Sequence, residues 1–108
     1  MRDLKEEVEK YVEKNMNEKI NLEDVAELVR YSKSQLCRKF KKNTGYTVKG
    51  YIMKIKLEEA RKQLRNGITV SKAAENCGYD TLNGFEKAYK KEYGYLPKKE
   101  RKASNEKK

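Results

Sequence analysis

The chain has 108 residues, of which 41% are charged and 36% apolar, and its formal net charge is +10. This length allows one compact unit or two very small ones. The charge favours a polyanionic partner, nucleic acid before an acidic membrane surface, although a merely basic soluble protein has the same balance. With no His, only Cys37 and Cys77, no signal peptide and no apolar run of ~18 residues, the composition argues against a zinc site and a membrane protein and favours the cytoplasm.

The first half of the chain predicts three amphipathic helices. The first carries its apolar face on Leu4, Val8, Tyr11 and Val12. Asn21 is predicted to cap the second helix, because its side-chain oxygen can accept from an N–H of the first turn. The apolar residues of this second helix, all predicted to be buried, are Leu22, Val25, Ala26, Leu28 and Val29. After a turn at Tyr31, Ser32 is predicted to cap a helix over 33–42 that points Leu36 and Phe40 inward and ends near Gly45.

The second half predicts a long helix over 48–65, two short helices and a final one. At ~1.5 Å per residue the long helix spans roughly 27 Å, and Asn66-Gly67 ends it. Its apolar residues are Tyr51, Ile52, Ile55, Leu57, Ala60 and Leu64. A helix with Ala73, Ala74 and Cys77 inside follows, and then one capped by Asp80 or Thr81 with Phe85 and Tyr89 inward. Pro97 is placed to begin a short last helix, which makes an all-α chain of about seven helices.

The chain repeats one pattern twice, over 22–46 and 70–95. Before the turn the two copies are 48 residues apart, so that Ala26, Glu27 and Tyr31 match Ala74, Glu75 and Tyr79. After the turn they are 49 residues apart, and the matching pairs are Leu36 with Phe85, Phe40 with Tyr89, Lys41 with Lys90, Lys42 with Lys91, Gly45 with Gly94 and Tyr46 with Tyr95. A helix with a small Ala, a tight turn and a second helix ending in Lys-Lys is the pattern of a helix-turn-helix. Arg30 matches Gly78, so a left-handed Arg30 would be strained by ~1–2 kcal/mol.

These residues together resemble the DNA-binding region of AraC/XylS-type bacterial transcription regulators, over about 8–101. The stretches that carry the resemblance are Tyr31-Ser32, Leu36, Phe40-Lys41-Lys42, Gly45, Tyr51, Leu57, Ala60, Leu64, Ala74, Gly78-Tyr79, Phe85, Tyr89-Lys90, Gly94, Pro97 and Arg101. The resemblance implies an N-terminal helix-turn-helix subdomain (1–47), a linker helix (48–66), a C-terminal helix-turn-helix subdomain (67–104) and a tail (105–108). It also implies that both recognition helices enter successive major-groove segments. The chain departs from the family pattern at Lys56, Gly84, Leu96 and Glu100.

The second helix of each repeat supplies the candidate base contacts. The family's base-reading positions map onto Ser34, Cys37 and Arg38, and periodicity adds Gln35; the matching positions of the other copy are Asn83, Glu86 and Lys87. Arg suits guanine, Gln and Asn suit adenine, and Glu suits cytosine N4. Leu82 either touches a thymine methyl or packs the turn. The alternative for each polar side chain is a solvated helix face.

Basic residues flank these faces and suit phosphate contacts, as do the backbone N–H groups near each helix start. The phosphate-contact candidates are Ser32, Lys33, Lys41, Lys42, Thr81, Lys90 and Lys91. Five basic residues and no acid lie within 32–42, whereas three Lys meet three acids within 80–93. The first half is therefore predicted to supply most of the electrostatic attraction to duplex DNA.

The sequence predicts a sequence-specific reader of double-stranded DNA that acts in transcription, without cofactor or metal. No nucleophile motif or Gly-rich phosphate loop suggests an enzyme, and no aromatic-bearing sheet suggests an RNA module. The open alternative is a helical protein-interaction or dimerisation module with only non-specific nucleic-acid affinity. The resemblance implies RNA polymerase as a partner and an effector or receiver domain elsewhere in the regulator. An excised domain is favoured narrowly over a short stand-alone regulator.

Overall fold

The structure, a computed structural model, describes residues 3–100, and within that range it is helical with no strand. The helices are α1 (Leu4–Lys14), α2 (Leu22–Val29), α3 (Lys33–Thr44), α4 (Val48–Arg65), α5 (Val70–Asn76) and α6 (Leu82–Tyr93). A further helical stretch over 98–100 follows Pro97, where the described residues end. The predicted all-α fold is confirmed. Arg101 and the predicted tail over 105–108 lie outside the described residues.

The chain divides into two compact units, which share α4 between them. The first contains the residues up to Asn15 and Lys19–Ile55, and the second contains Met16–Glu18 and the residues from Lys56 onward. The division therefore assigns three residues of the α1–α2 connection to the second unit.

Three helices and the start of α4 supply the core of the first unit. Its buried apolar residues are Leu4, Val8, Val12, Val25, Ala26, Val29, Leu36, Phe40, Val48, Tyr51, Ile52 and Ile55. Ala26 is 4% exposed and has the only small side chain of this set, which allows helices to cross closely. The Tyr51 ring packs against Phe40 and Tyr46, with centroids 5.5 and 5.6 Å away.

Leu28 is not part of this core, and its predicted burial was wrong. Val25, Ala26 and Val29 define the buried face of α2, while Leu28 is 50% exposed. At 3.6 residues per turn, Leu28 points about 105° away from the centre of that face. Apolar character alone placed Leu28 in the core, but the helical angle places it on the surface.

Side-chain caps and left-handed residues fix the turns of the first unit. Asn21 Oδ1 accepts from the Glu23 N–H at 2.9 Å, which confirms the predicted cap of α2. Gly45 ends α3 in the left-handed region, with φ 82°. Arg30 ends α2 in the same region, with φ 61°, and it is the one non-glycine residue with positive φ in the described chain. The backbone strain anticipated at Arg30 is therefore present.

The second unit buries an aromatic-rich cluster between the end of α4, α5 and α6. Its buried members are Leu57, Ala60, Leu64, Ala73, Ala74, Cys77, Phe85 and Tyr89. Met16, from the α1–α2 connection, packs against this cluster. Burial raises the pKa of Cys77 to about 12, so this thiol is a protonated core group and not a reactive thiolate.

The turn between α5 and α6 rests on the buried ammonium of Lys56, which is 6% exposed. Lys56 Nζ donates to the Glu18 carbonyl at 2.5 Å and to the Cys77 carbonyl at 3.1 Å. Burial lowers the pKa of Lys56, and the two carbonyls replace part of the water it loses. Gly78 follows with φ 78°, and a Cβ there would lie 2.8 Å from both the Glu18 oxygen and Lys56 Nζ. The turn therefore requires glycine for its conformation and for space.

Candidate nucleic-acid interface

The second helix of each repeat turns two large side chains fully inward and leaves its candidate DNA-contact residues accessible to solvent. Leu36 and Phe40 of α3 and Phe85 and Tyr89 of α6 are fully buried. The two members of each pair are four residues apart, so they lie on one face and determine which side of the helix turns inward. The candidate residues between these anchors must then point away from the core.

All of the predicted site residues reach solvent. Those that are exposed are Ser32, Lys33, Ser34, Gln35, Arg38, Lys41, Lys42, Thr81, Asn83, Lys87, Lys90 and Lys91. Cys37 and Glu86 are half-buried. Within the first unit, Ser34, Cys37 and Arg38 lie on successive turns of α3; within the second, Asn83, Glu86 and Lys87 lie on α6. Their roles in DNA reading stay predictions.

Gln35 has a structural task that sequence reasoning did not assign to it. Ser32 Oγ accepts from the Gln35 N–H at 3.1 Å, and Gln35 Oε1 accepts from the Ser32 N–H at 3.0 Å. This reciprocal pair is a capping box. A two-point contact with adenine needs the amide oxygen as acceptor, so Gln35 would have to share Oε1 between the cap and the base. The S-x-x-Q spacing was the signal for the cap.

The caps also determine which backbone N–H groups at the start of each helix remain available as donors. Thr81 Oγ1 accepts from the Gly84 N–H at 3.0 Å, which settles the predicted choice between Asp80 and Thr81 as the cap of α6. Each cap satisfies one of the four N–H groups that a helix start leaves without an intrahelical partner. The remaining donors suit a phosphate oxygen, together with the positive end of the helix dipole.

The candidate phosphate-binding lysines occupy two kinds of surroundings. Lys41 and Lys42 lie in the last turn of α3, and Lys90 and Lys91 in the last turn of α6. At these positions a cation also stabilises the helix dipole, so their placement fits a structural role as well as a phosphate contact. Lys33 instead lies 3.2 Å from Glu23, and a backbone hydrogen bond together with Lys33 lowers the pKa of the Glu23 carboxyl. Lys33 would have to share its charge between Glu23 and a phosphate.

The outer face of α2 differs in character from that of α3. Glu23, Asp24 and Glu27 are exposed there, next to the half-exposed Leu28. Negative charge disfavours the approach of a polyanion such as DNA. The first unit therefore presents a basic face on α3 and an acidic, partly apolar face on α2. Of the residues on this α2 face, only Leu28 was predicted to lie in the core.

The described residues offer neither a membrane span nor a cluster of metal ligands. Within residues 3–100, no helix is both long and apolar enough to cross a membrane. In the same range, no group of three or more His, Cys, Asp or Glu side chains is placed to hold a metal ion.

Comparison with known protein families and curated sequences identifies relatives over most of the chain. Residues 25–103 match the family described as a helix-turn-helix domain. The XylDLEGF operon transcriptional activator 2 of Pseudomonas putida is 35% identical over 85% of this chain. The xylose operon regulatory protein of Escherichia coli (strain K12) is 31% identical over 89% of it. The chain spans 61% of the first relative's length and 25% of the second's.

Solved structures share the arrangement of helices. The C-terminal domain of AraT, a response regulator from Geobacillus stearothermophilus, is 29% identical, with a TM-score of 0.85 over 94% of this chain and 86% of that one. The DNA-binding domain of AdpA, a global transcriptional factor solved in complex with a target DNA, has a TM-score of 0.87 over 99% of this chain and 97% of that one. At 19% identity, the AdpA likeness shows the fold alone.

Proposed function

Because the chain belongs to the AraC/XylS family of helix-turn-helix DNA-binding domains, we propose that it reads a specific duplex sequence with α3 and α6 as part of a transcription regulator. The site of action is the cytoplasm, where bacterial chromosomal DNA lies. Each recognition helix enters its own major-groove segment, and the basic residues at the helix ends hold the sugar-phosphate backbone.

The observation that carries this proposal is the outer face of α3. Leu36 and Phe40 are both fully buried, and Arg38 between them is exposed. Arg38 lies at the middle of the helix, where a recognition helix approaches base edges, and its guanidinium can donate to two acceptors of guanine. Four further basic residues and no acid accompany it within 32–42, which favours a close approach to DNA.

Replacing Arg38 with Ala is expected to cost ~1–3 kcal/mol of binding free energy on the preferred site and to relax the preference at one G·C base pair. Non-specific binding should change far less, because the lysine contacts to phosphate remain. The measurement compares Kd for the preferred duplex and its single-base variants, with wild-type and variant proteins at one salt concentration.

Lys41→Ala is the matched control for Arg38→Ala, since it removes one positive charge from the same helix at a candidate phosphate contact. It should weaken binding to all duplexes by a similar factor. If Arg38→Ala behaves as Lys41→Ala does, Arg38 holds phosphate and the base-reading role assigned to it is wrong.

The alternative function is a helical protein-interaction module with only non-specific affinity for nucleic acid. This alternative does not explain the basic residues of α3, whereas binding to duplex DNA gives them phosphates and bases to contact. Titrations with labelled duplex, single-stranded DNA and RNA of equal length distinguish the two. DNA reading requires that one duplex sequence bind more tightly than all the other oligomers.

RNA polymerase is the protein partner that we propose for the outer face of α2. Glu23, Asp24, Glu27 and Leu28 offer a negative, partly apolar surface that suits a basic protein surface and not DNA. Leu28→Ala should lower polymerase occupancy at the target promoter several-fold and leave the affinity for promoter DNA unchanged. Leu96→Ala, which also removes an exposed leucine, serves as the control. Equal occupancy with Leu28→Ala and wild-type protein would exclude this face as the polymerase contact.

In the complete regulator, a separate effector or receiver domain controls this DNA-binding domain. The greater length of the relatives supports this proposal. An antibody against the domain, used on cell extract, should detect a protein well above 12.7 kDa. Detection of a 12.7 kDa band alone would favour a stand-alone regulator.

A further inference from the structure

A buried carboxylate, Glu100, joins α4 to α6 in the second unit. Only 4% of its surface is exposed. Arg61 Nε donates to Glu100 Oε2 at 3.1 Å, Arg65 Nε donates to Oε1 at 2.9 Å, and the Tyr89 hydroxyl donates to Oε2 at 2.9 Å. The Tyr95 hydroxyl also donates to Oε2. Oε2 thus has donors from α4, from α6 and from the residues after α6, and Oε1 has a donor from α4.

The protonation states of this cluster match its hydrogen bonds. Burial raises the pKa of the Glu100 carboxyl, but hydrogen bonds from Tyr95, Arg65 and Tyr89 outweigh it and bring the pKa to about 2. Burial also raises the pKa of Tyr89, with the hydrogen bond to Glu100 as the second cause, so its hydroxyl remains a donor. Glu100 is therefore ionised at neutral pH.

Tyr89 is the polar member of the buried pair that orients α6. Its partner Phe85 packs through apolar contacts, including the Tyr79 ring at 5.2 Å and the Tyr89 ring at 5.7 Å. Apolar packing tolerates small rotations, whereas a hydrogen bond depends steeply on distance and angle. Gly84 also lies in the first turn of α6, where it stabilises a helix less than other residues do. Thr81 caps the start of α6, and the orientation of the helix depends on its tertiary contacts.

Small rotations of α6 matter for base reading. The helix with its side chains has a radius of about 5–6 Å, so a rotation of about 20° shifts its outer side chains by about 2 Å. A shift of that size breaks a hydrogen bond to a base edge. Asn83, Glu86 and Lys87 would all move together.

We propose that Glu100 is a positioning residue for α6, which holds the base-reading side chains of that helix in register through the Tyr89 hydroxyl. The inference rests on the proposed function, because it assumes that α6 reads bases. Arg61 and Arg65 anchor the carboxylate to α4, and Tyr89 transmits that anchor to α6. Glu100 thereby influences which DNA bases α6 prefers, although it does not touch those bases itself.

Tyr89→Phe and Tyr95→Phe test this inference as a matched pair. Each removes one hydroxyl that donates to the same carboxylate oxygen and leaves the ring in place, but only Tyr89 lies on α6. The base pairs read by α6 are first identified as those at which Asn83→Ala or Lys87→Ala relaxes the wild-type preference. Affinities for the preferred duplex and its single-base variants are then measured for each tyrosine variant, well below its melting temperature.

Tyr89→Phe should lower discrimination at the α6 base pairs by roughly threefold to tenfold, and at the base pairs affected by Arg38→Ala by less than about twofold. Tyr95→Phe should change both sets by less than about twofold. Glu100→Gln, which keeps the shape but loses the charge, should behave as Tyr89→Phe does. Circular dichroism at the assay temperature confirms that each variant is folded.

Three results overturn the inference. Wild-type discrimination in Tyr89→Phe would show that the hydroxyl does not position α6, and equal effects of the two tyrosine variants would show a general stabilising role. A wild-type protein without any base preference would overturn the proposed function and this inference together. If the wild-type protein shows a base preference and Tyr89→Phe does not change it, the inference is wrong but the proposed function stands.

Discussion

Raising the salt concentration from about 50 mM to about 200 mM is expected to weaken binding of the domain to duplex DNA roughly a thousandfold. The net charge of +10 and the lysines at the ends of α3 and α6 suit about six phosphate contacts, and each contact releases condensed counterions from the duplex. Six contacts give a slope near −5 in a plot of log affinity against log salt. Fluorescence anisotropy with a labelled duplex over this range measures the slope directly.

Two double variants serve as internal controls for the salt experiment. Lys41→Ala with Lys42→Ala should reduce the slope and the affinity more than Lys90→Ala with Lys91→Ala. The reason is that 32–42 carries five basic residues and no acid, whereas acids balance the lysines of 80–93. A flat salt response would exclude electrostatic docking. A larger loss from the second pair would show that charge within each helix does not determine which half holds DNA more tightly.

Replacing Gly78 with Ala is expected to destabilise the domain by about 3 kcal/mol or more. The left-handed backbone contributes about 1–2 kcal/mol of this cost. The rest comes from the new Cβ, which would lie 2.8 Å from the Glu18 carbonyl oxygen and 2.8 Å from Lys56 Nζ. Relief of that contact requires the backbone or the buried ammonium to move, which weakens the hydrogen bonds of Lys56. Denaturant unfolding at constant salt gives the difference in unfolding free energy.

Gly67→Ala separates the two causes of this loss. Gly67 also has a positive φ, 94°, but a Cβ there meets nothing within 4 Å. Its replacement should cost only the conformational part, about 1–2 kcal/mol. Equal losses from Gly67→Ala and Gly78→Ala would mean that steric contact in the turn contributes nothing.

Features governed by local sequence were predictable, and features governed by distant partners were not. Helical spacing identified the inward pairs Leu36 with Phe40 and Phe85 with Tyr89, and both pairs are fully buried. The cap at Asn21 also followed from neighbouring residues. In each case the physical cause lies within one or two helical turns, so the sequence displays it directly.

Lys56 and Glu100 show why the remainder was hidden. Both are charged residues that stand where the family pattern differs, and charged residues are normally exposed. Their burial depends on Glu18 and Cys77 in one case and on Arg61, Arg65, Tyr89 and Tyr95 in the other. A count of charges along one helix does not reveal partners that lie elsewhere in the sequence. Gln35 is an intermediate case, because its capping box was readable but was outweighed by its position on the recognition helix.

The membership of Met16–Glu18 in the second unit limits how this domain can be recombined. Exchanging recognition modules between regulators requires the chain to be cut and rejoined at chosen boundaries. A cut after α3, or in α4 before Lys56, would leave the second module with Lys56 but without the Glu18 carbonyl that accepts its hydrogen bond. The cluster would also lack Met16. We expect such an isolated or transplanted module to fold poorly unless the three residues travel with it. A single cut in the chain therefore does not separate an exchangeable module here. In a working chimera, the α1–α2 connection must come from the same parent protein as α5 and α6.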